Sequence, residues 1–375
     1  MNTPSQADPH AATPAGKPRA RSLGIPFGGR PGRWNAITDV PGVEAGYATL
    51  IQGQSVRTGV TALHPRGRAG AADPVAAGFF SQNGNGEMTG VSWIEESGTF
   101  AGPVTVTNTH AVGIVHAAVV AWTIGNHPRA AGAWLLPVVA ETWDGYLNDI
   151  NSPHVTGQTA AEALESAAAG PVEEGSVGGG TGMNCYGFKG GSGTASRLVE
   201  YAGASFTVGV FVQANFGSRR ELMLADDDPM AEHFGAPPGA GSVIAVVATD
   251  APLLPGQCKA FACRVTLGLA RTGTAGSHFS GDLFLAFSTG NPGAFATSAQ
   301  TLHGGGGIGY GRIRFIPWGF LDPFYTAVVQ GTEEAVANAL AANEDMTGRD
   351  GHRSPALPRD RVTALFAARR RQGMP

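Results

Sequence analysis

Residues 242–249 read Ser-Val-Ile-Ala-Val-Val-Ala-Thr, a continuous apolar run rich in β-branched side chains. Such a run predicts a strand that is buried on both faces in the centre of a sheet. Residues 221–241, which precede it, are polar and rich in Pro and Gly without periodicity, and this predicts an exposed loop. Ser242 therefore stands where a loop enters a buried strand.

Strand-like and helical segments alternate along the rest of the chain. Short apolar runs bounded by Gly, Pro, Asn or Asp predict strands at 104–107, 134–139, 206–212 and 283–288. Helices are predicted at 111–124, at 160–169 with a capping box from Thr159 to Glu162, at 333–342 after Thr332 as N-cap, and at 359–370. This mixture indicates a layered α/β fold.

The composition limits the class of protein. Of 375 residues, 42% are hydrophobic and 14% are charged, which indicates a globular chain with a sizeable core. The formal net charge is −4 and the one basic block is 369–371, so we expect no nucleic-acid partner. No run of about 18 apolar residues exists, so we expect no membrane span.

The N-terminal segment and the cysteines bear on organisation and location. Residues 1–34 are rich in Pro, Ala, Gly and Arg and contain no apolar run suited to a signal peptide. We expect a poorly ordered or draped arm there, followed by a single domain at 35–375. The three cysteines, Cys185, Cys258 and Cys263, form no C-x-x-C pair, and we expect a cytoplasmic protein.

Common metal, nucleotide and hydrolase signatures are missing from the sequence. It contains no H-E-x-x-H, no Walker-type G-x-x-x-x-G-K and no G-x-S-x-G. A G-x-G-x-x-G match at 304–309 lacks the preceding strand and following helix that dinucleotide binding requires. We therefore expect no metal and no organic cofactor.

The Gly241-Ser242 pair offers a specific chemistry. The serine hydroxyl can attack the carbonyl of Gly241, because glycine leaves that carbonyl accessible. Hydrolysis after the N→O acyl shift would free the amine of Ser242, whose pKa of roughly 7.7–8.0 lets it take a proton from the neighbouring hydroxyl. On the residues alone, a Gly-Ser pair before a strand is more often an ordinary turn.

Six separated motifs favour the self-cleavage interpretation over an ordinary turn. Together they resemble the L-aminopeptidase/D-esterase-amidase (DmpA-like) family, which includes the β-aminopeptidases, over residues 34 to 323. The motifs are Asn-Ala-Ile-Thr-Asp-Val-Pro-Gly-Val at 35–43, Gly-Pro at 102–103 with Thr-Asn-Thr-His at 107–110, Glu-Thr-Trp-Asp-Gly at 141–145, the glycine-rich stretches 178–183 and 190–197, Val-Gln-Ala-Asn-Phe-Gly at 212–217, and Ser-Gly-Asp at 280–282.

The resemblance implies self-cleavage between Gly241 and Ser242, which would divide the domain into 35–241 and 242–375, with Ser242 as the nucleophile. Ser280 and Asp282 match the family's Ser-x-acid partners, which orient the nucleophile and relay its proton. Their i, i+2 spacing puts both side chains on one face of an extended segment. The family more often has Glu at the second position, so the reach of the shorter Asp282 is in question.

Other positions correspond to the oxyanion and substrate sides of the family's site. Asn215 matches an asparagine that donates to the oxyanion, and Glu141 matches the carboxylate that receives the substrate's free amine. Trp143 stands where some relatives have a tyrosine, and a role as a wall of the pocket is equally open. The glycines at 178–182 are expected to let the backbone pass close to the serine, with N–H groups that add to the oxyanion hole.

The fold and assembly that the resemblance implies are an αββα four-layer sandwich, shared with ornithine acetyltransferase, and a homo-oligomer, commonly a tetramer of cleaved heterodimers. The implied function is an aminopeptidase or amidase that acts on small peptides, amides or esters with a free amine. An acyltransferase of the ornithine acetyltransferase type and a non-catalytic assembly protein are the alternatives.

Overall fold

The computed structural model of the chain describes residues 8–223, 241–296 and 310–372, and most of its strands form two sheets. The smaller sheet has the order β1 (Glu44–Gln52), β2 (Val56–His64), β5 (Val104–Asn108) and β6 (Val138–Thr142). The larger has the order β4 (Thr99–Phe100), β3 (Val75–Gly84), β12 (Ser280–Ser288), β11 (Gly241–Thr249), β10 (Ala204–Asn215) and β9 (Gly191–Tyr201). Two hairpins pair β7 (Asn184–Cys185) with β8 (Phe188–Lys189), and β13 (Met346–Thr347) with β14 (Arg353–Ser354).

Helices cover the outer face of each sheet. The helices are α1 (Val91–Ser97), α2 (Val112–Asn126), α3 (Gly157–Glu165), α4 (Pro255–Ala270), α5 (Asp322–Ala341) and α6 (Arg359–Arg371). Helices α2 and α3 pack on the smaller sheet, while α4 and α5 pack on the larger. The order of layers is therefore helix, sheet, sheet, helix, and the predicted αββα sandwich is confirmed.

The core between the two sheets sets the position of the candidate site. It is built from Phe211, Ile244 and Leu285 of the larger sheet against Val106 and Ala140 of the smaller. Separate cores lie between each sheet and its own helices. Burial of these apolar side chains, at about 25 cal/mol per Å2 removed from water, is the main force that holds the layers together.

Strand β11 lies in the middle of the larger sheet, as its sequence predicts. It pairs with β10 antiparallel and with β12 parallel, and every residue from 242 to 249 is buried. Side chains alternate along a strand. Ile244 and Val246 enter the core between the sheets, whereas Val243 and Ala245 enter the core beneath the helices.

Several predicted boundaries are corrected by the structure. Helix α5 begins at Asp322 with Pro323 in its first turn, so Thr332 lies inside the helix and donates to the Val328 carbonyl at 2.8 Å. The N-cap of α3 is Thr156, whose hydroxyl accepts from the Thr159 N–H, so the capping box starts three residues earlier than predicted. The strand expected at 134–139 begins at Val138.

Residues 8–34 lie against the domain. Arg19 is 3% exposed, and its guanidinium donates to the buried Glu174 carboxylate and to the Thr194 carbonyl. A buried charged pair with further hydrogen bonds fixes a segment in place, because either charge would be costly to bury alone. The described part of the expected arm is therefore packed rather than poorly ordered.

Two sequence features fall where the structure makes no statement. Of the loop predicted at 221–241, residues 224–240 lie outside the described residues, and so does the glycine motif at 304–309. Across the three described ranges, no helix combines the length and apolar character needed to cross a bilayer.

Candidate active site

Ser242 lies at the start of β11 on the face between the sheets. Its side chain is buried, and the residue is 2% exposed. Its Oγ accepts a hydrogen bond from the backbone N–H of Trp143, with an N···O distance of 3.4 Å. Trp143 directly follows β6, so the end of the smaller sheet contacts Ser242, the second residue of the central strand.

Asn215 is the cross-strand partner of Ser242. It is the last residue of β10 and pairs with Ser242 in the antiparallel register, which puts the two side chains on the same face. Its Oδ1 accepts from the Asn184 N–H at 2.8 Å, and its Nδ2 donates to the Trp143 carbonyl at 2.9 Å. These bonds fix the orientation of the amide and use one of its two N–H groups, which leaves the second for a ligand.

Ser280 and Asp282 form a buried hydrogen-bonded pair on β12. The Ser280 hydroxyl donates to Asp282 Oδ1 at 2.5 Å, so the shorter acid reaches its partner. Burial raises the pKa of Asp282 to about 6, although the Ser280 hydrogen bond and the Val243 amide act in the opposite direction. The one-face arrangement expected from the i, i+2 spacing is confirmed.

The Ser280–Asp282 pair and the Ser242 hydroxyl lie on opposite faces of the sheet. Ser242 pairs with Gly281, and Gly241 pairs with Ser280. On β12, Phe284 shares the face of Asp282 and enters the core beneath the helices, whereas Ile244 shares the face of Ser242 and enters the core between the sheets. The pair therefore borders the backbone at Gly241-Ser242 rather than the hydroxyl.

Glu141 supplies a buried carboxylate next to the end of β6. It is 2% exposed; its Oε1 accepts from the Glu87 N–H at 2.9 Å, and its Oε2 accepts from the Thr109 hydroxyl. Burial raises the pKa of Glu141, and both hydrogen bonds oppose that rise. Sequence reasoning did not assign Thr109 or Glu87; Thr109 lies in a quoted motif, but nothing in the sequence singles out a backbone N–H.

Two glycines pack closely between Glu141 and the strand beside Ser242. A Cβ at Gly86 would lie 3.1 Å from Glu141 Oε1 and 3.1 Å from the Cα of Gly281. Gly281 in turn is the strand partner of Ser242. A Cβ at Gly281 would lie 2.8 Å from the Cα of Gly86, so only glycines allow the two backbones to approach this closely beside the carboxylate.

Trp143 contributes its backbone to the site and its ring to the surface. The residue is 39% exposed, and the ring lies so close to Gly145 that a Cβ there would be 2.4 Å from its Cζ2. The contact with Ser242 is made by the backbone N–H of Trp143. The ring packs against Gly145, and its role as a wall of the pocket stays a prediction.

The glycine turn at Gly178–Gly180 has a packing role. A Cβ at Gly179 would lie 2.3 Å from Gln213 Oε1, so the backbone packs closely against its neighbours here. The N–H groups of Gly178, Gly179 and Gly180 donate to Thr49 Oγ1, Thr61 Oγ1 and the Val177 carbonyl. These three N–H groups are engaged within the fold, and a contribution of the cluster at 178–182 to an oxyanion hole stays a prediction.

The described ranges also bear on metal binding. No group of three or more His, Cys, Asp or Glu side chains is placed there to hold a metal ion.

Comparison with known proteins identifies relatives over nearly the whole chain. The model of peptidase family S58 matches residues 35–354. The β-peptidyl aminopeptidase BapA of Sphingosinicella microcystinivorans is 47% identical, with 96% of this chain and 94% of the relative covered.

Solved structures give the same result. The L-aminopeptidase D-Ala-esterase/amidase of Ochrobactrum anthropi, a variant of the Ntn-hydrolase fold, superposes with a TM-score of 0.85 at 44% identity, covering 95% of this chain and 99% of its own. A β-aminopeptidase of Burkholderia sp. gives 0.84 at 43% identity, covering 95% and 99%. All three relatives carry aminopeptidase names, which disfavours the acyltransferase and non-catalytic alternatives.

Proposed function

Because this chain belongs to peptidase family S58, and is an aminopeptidase of the N-terminal-nucleophile type, we propose that Ser242 is its nucleophile. The observation that carries the proposal is the contact set of Ser242. Its hydroxyl accepts from the Trp143 N–H, its strand partner is Asn215, and the Ser280–Asp282 pair lies on the neighbouring strand, opposite Gly241 and Val243. These are the groups that acyl transfer to a serine requires.

Activation begins with cleavage of the Gly241-Ser242 bond. Ser242 Oγ attacks the Gly241 carbonyl, the acyl group moves from nitrogen to oxygen, and water hydrolyses the ester. This leaves a carboxylate on Gly241 and a free amine on Ser242. Glycine suits the position before the serine, because a Cβ there would lie 2.8 Å from the Asn215 carbonyl oxygen.

The liberated amine then acts as the base. With a pKa of roughly 7.7–8.0, an α-amine can accept the proton of its own residue's hydroxyl near neutral pH. Ser280 and Asp282 lie on the backbone side of Ser242, so we assign them to holding this amine rather than to contacting the hydroxyl. The Asp282 carboxylate accepts from Ser280, which orients the Ser280 oxygen toward the amine.

The oxyanion of the tetrahedral intermediate needs donors beside Ser242 Oγ. The Trp143 N–H already points at that oxygen, and Asn215 has one N–H left after its bond to the Trp143 carbonyl. Loss of one oxyanion donor costs about 2.7–4 kcal/mol of transition-state stabilisation in a comparable site. We assign both donors to the oxyanion hole.

The substrate is held by its free amine. The Glu141 carboxylate already accepts two hydrogen bonds and keeps lone pairs for an ammonium. We propose small peptides, amides and esters with a free amine as substrates. The names of the relatives point to β-aminoacyl as well as L-aminoacyl groups, with the Trp143 ring as a wall of the pocket.

A turnover assay tests this function. The purified protein is incubated with L-, D- and β-aminoacyl p-nitroanilides, and with the N-acetylated form of each. We expect release of p-nitroaniline from the free-amine substrates and none after Ser242→Ala, while Ser97→Ala, at the end of α1, leaves turnover unchanged. Full activity of Ser242→Ala would refute the nucleophile assignment.

Assembly and location complete the proposal. We propose a homo-oligomer, a tetramer of cleaved heterodimers, which is supported by apolar side chains at the surface such as Trp134, 85% exposed. Light scattering coupled to gel filtration tests it. The cysteines are unpaired, which supports a reducing, cytoplasmic location.

A further inference from the structure

Lys189, at the end of β8, is a buried amine outside the residues assigned above. It is fully buried, and its Nζ donates to the carbonyl oxygens of Met183 at 2.9 Å and Gly190 at 2.7 Å. Among the described residues it forms no ion pair within 4.0 Å. Burial lowers its pKa to about 7, with a smaller contribution from the charge of Lys17, while Cys185 and Asp144 act in the opposite direction.

The cost of burying this amine calls for a function. A lysine without an adjacent carboxylate is expensive in an apolar interior, where a methionine would fill the same space at no electrostatic cost. Both protonation states of the amine keep at least two N–H groups, so the two bonds to carbonyl oxygens persist through the titration.

One peptide group connects Lys189 to the oxyanion side of the site. The carbonyl that accepts from Lys189 belongs to the Met183–Asn184 peptide, and the N–H of that same peptide donates to Asn215 Oδ1 at 2.8 Å. Asn215 then donates through Nδ2 to the Trp143 carbonyl. Hydrogen bonds arranged in series polarise one another, so a donor at the carbonyl end strengthens the N–H at the other end.

We propose that Lys189 is a positioning residue for the oxyanion-binding amide of Asn215, acting through the Met183–Asn184 peptide. The inference rests on the proposed oxyanion role of Asn215. The amine holds the peptide that fixes Asn215 Oδ1, and polarisation along the series makes the remaining Asn215 N–H a stronger donor. Lys189 itself does not touch the substrate.

The hairpin has other supports, so the role differs from simple folding. The Gly190 N–H also donates to the Met183 carbonyl, and β7 pairs with β8. Asn343 Nδ2 bonds to the Lys189 and Gly190 carbonyl oxygens. Removal of the amine therefore leaves the backbone of the hairpin in place.

A double-mutant cycle between Lys189→Met and Asn215→Ala tests the proposal, with rates normalised to processed chains. We expect Lys189→Met to lower kcat about tenfold, the scale of one charge-assisted hydrogen bond, with KM nearly unchanged. In the Asn215→Ala background the same change should lower kcat no further. Lys189→Gln, which keeps a donor, should recover part of the rate, and Lys259→Met, on the exposed face of α4, should have no effect.

The outcomes separate the two proposals. If Asn215→Ala lowers kcat and Lys189→Met multiplies that loss, or raises KM alone, Lys189 acts independently and the inference is overturned. If Asn215→Ala leaves kcat unchanged, the oxyanion assignment itself is wrong, and the Lys189 role falls with it. Should Lys189→Met not fold, the cycle is run with Lys189→Gln, and the same criteria apply.

Discussion

Burial of the Asp282 carboxyl group disfavours its ionised form. Its pKa is raised to about 6, yet its ionised form accepts more strongly the hydrogen bond that orients Ser280. We expect kcat/KM to fall as the pH drops through about 6. In the variant Asp282→Asn, which has no charge to lose, we expect a rate about 100-fold lower at neutral pH and no acid limb near pH 6.

Stability should show the opposite pH trend at the same residue. The folded pKa lies above the unfolded value, so the protonated carboxyl favours the fold at low pH and this contribution is lost as the pH rises through about 6. Asp282→Asn should therefore raise the melting temperature at pH 7 but not below about pH 4. Thermal melts across this range check it; a uniform shift at every pH would show that charge is not the cause.

Glu141 tests the amine site. Replacing it with Gln keeps the shape and removes the charge, so the charge-assisted part of the bond to the substrate's ammonium is lost, worth about 10- to 100-fold in affinity. We expect Glu141→Gln to raise KM by that factor for aminoacyl amides. An isosteric change at the exposed Glu95→Gln on α1 serves as the control. An unchanged KM would show that the Glu141 carboxylate supports the fold and does not bind the substrate's amine.

At the scale of elements, the sequence predicts what local patterns determine. Residues 243–248 are apolar at every position, and β11 is buried from Ser242 to Thr249; Ser280 and Asp282 are two apart on a strand, and they bond. This pair and the Ser242 hydroxyl lie on opposite faces of the sheet because of the register of β11 against β12, and that register is set by non-local packing. No pattern within either strand contains it.

The same limit applies to the backbone contacts of the site. Asn215, Glu141 and Trp143 were predicted as residue types by resemblance, but the Trp143 contact uses an N–H group that every residue except proline carries. The acceptors of the Gly178 and Gly179 N–H groups could not be predicted, because Thr49 and Thr61 lie on strands distant in sequence. Hydrogen-bond partners of main-chain groups become visible only once the strands are placed.

The close packing at the glycine turn Gly178–Gly180 predicts that a side chain there lowers stability. In Gly179→Ala the new methyl would meet Gln213 Oε1 at 2.3 Å and the Val106 carbonyl oxygen at 2.5 Å, and neither has room to retreat in a packed interior. We expect a loss of stability of about 1–3 kcal/mol or more, measured by denaturant unfolding. Gly113→Ala, within α2 and with nothing within 4 Å, should instead stabilise by about 0.5–1 kcal/mol.

At the scale of the whole molecule, buried polar contacts join the two segments that proposed cleavage would separate. Glu334 on α5 is fully buried; it accepts from Arg197 on β9 at 2.6 Å and from Arg21 at 2.6 Å. These partners lower the pKa of Glu334 against the effect of burial. The segments before and after Gly241 are thus held together by charge as well as by the shared sheet.

Breaking that junction should be costly. Glu334→Ala leaves two guanidinium groups without their carboxylate, one of them buried, and we expect a loss of about 3–5 kcal/mol in unfolding free energy. Glu344→Ala breaks an ion pair with Arg359, and the Glu344 side chain is 72% exposed. This change should lower the unfolding free energy by no more than about 1 kcal/mol. Equal losses of stability in the two variants would show that the buried ion pairs of Glu334 do not hold the two segments together.

The central claim is that activity requires a broken peptide bond before Ser242. Intact mass spectrometry of the purified, active protein, paired with the turnover assay on the same sample, measures this directly. We predict two fragments, one ending at Gly241 and one beginning at Ser242, and a single inactive chain for Ser242→Ala. A fully active preparation that contains only the uncut 375-residue chain would contradict the account.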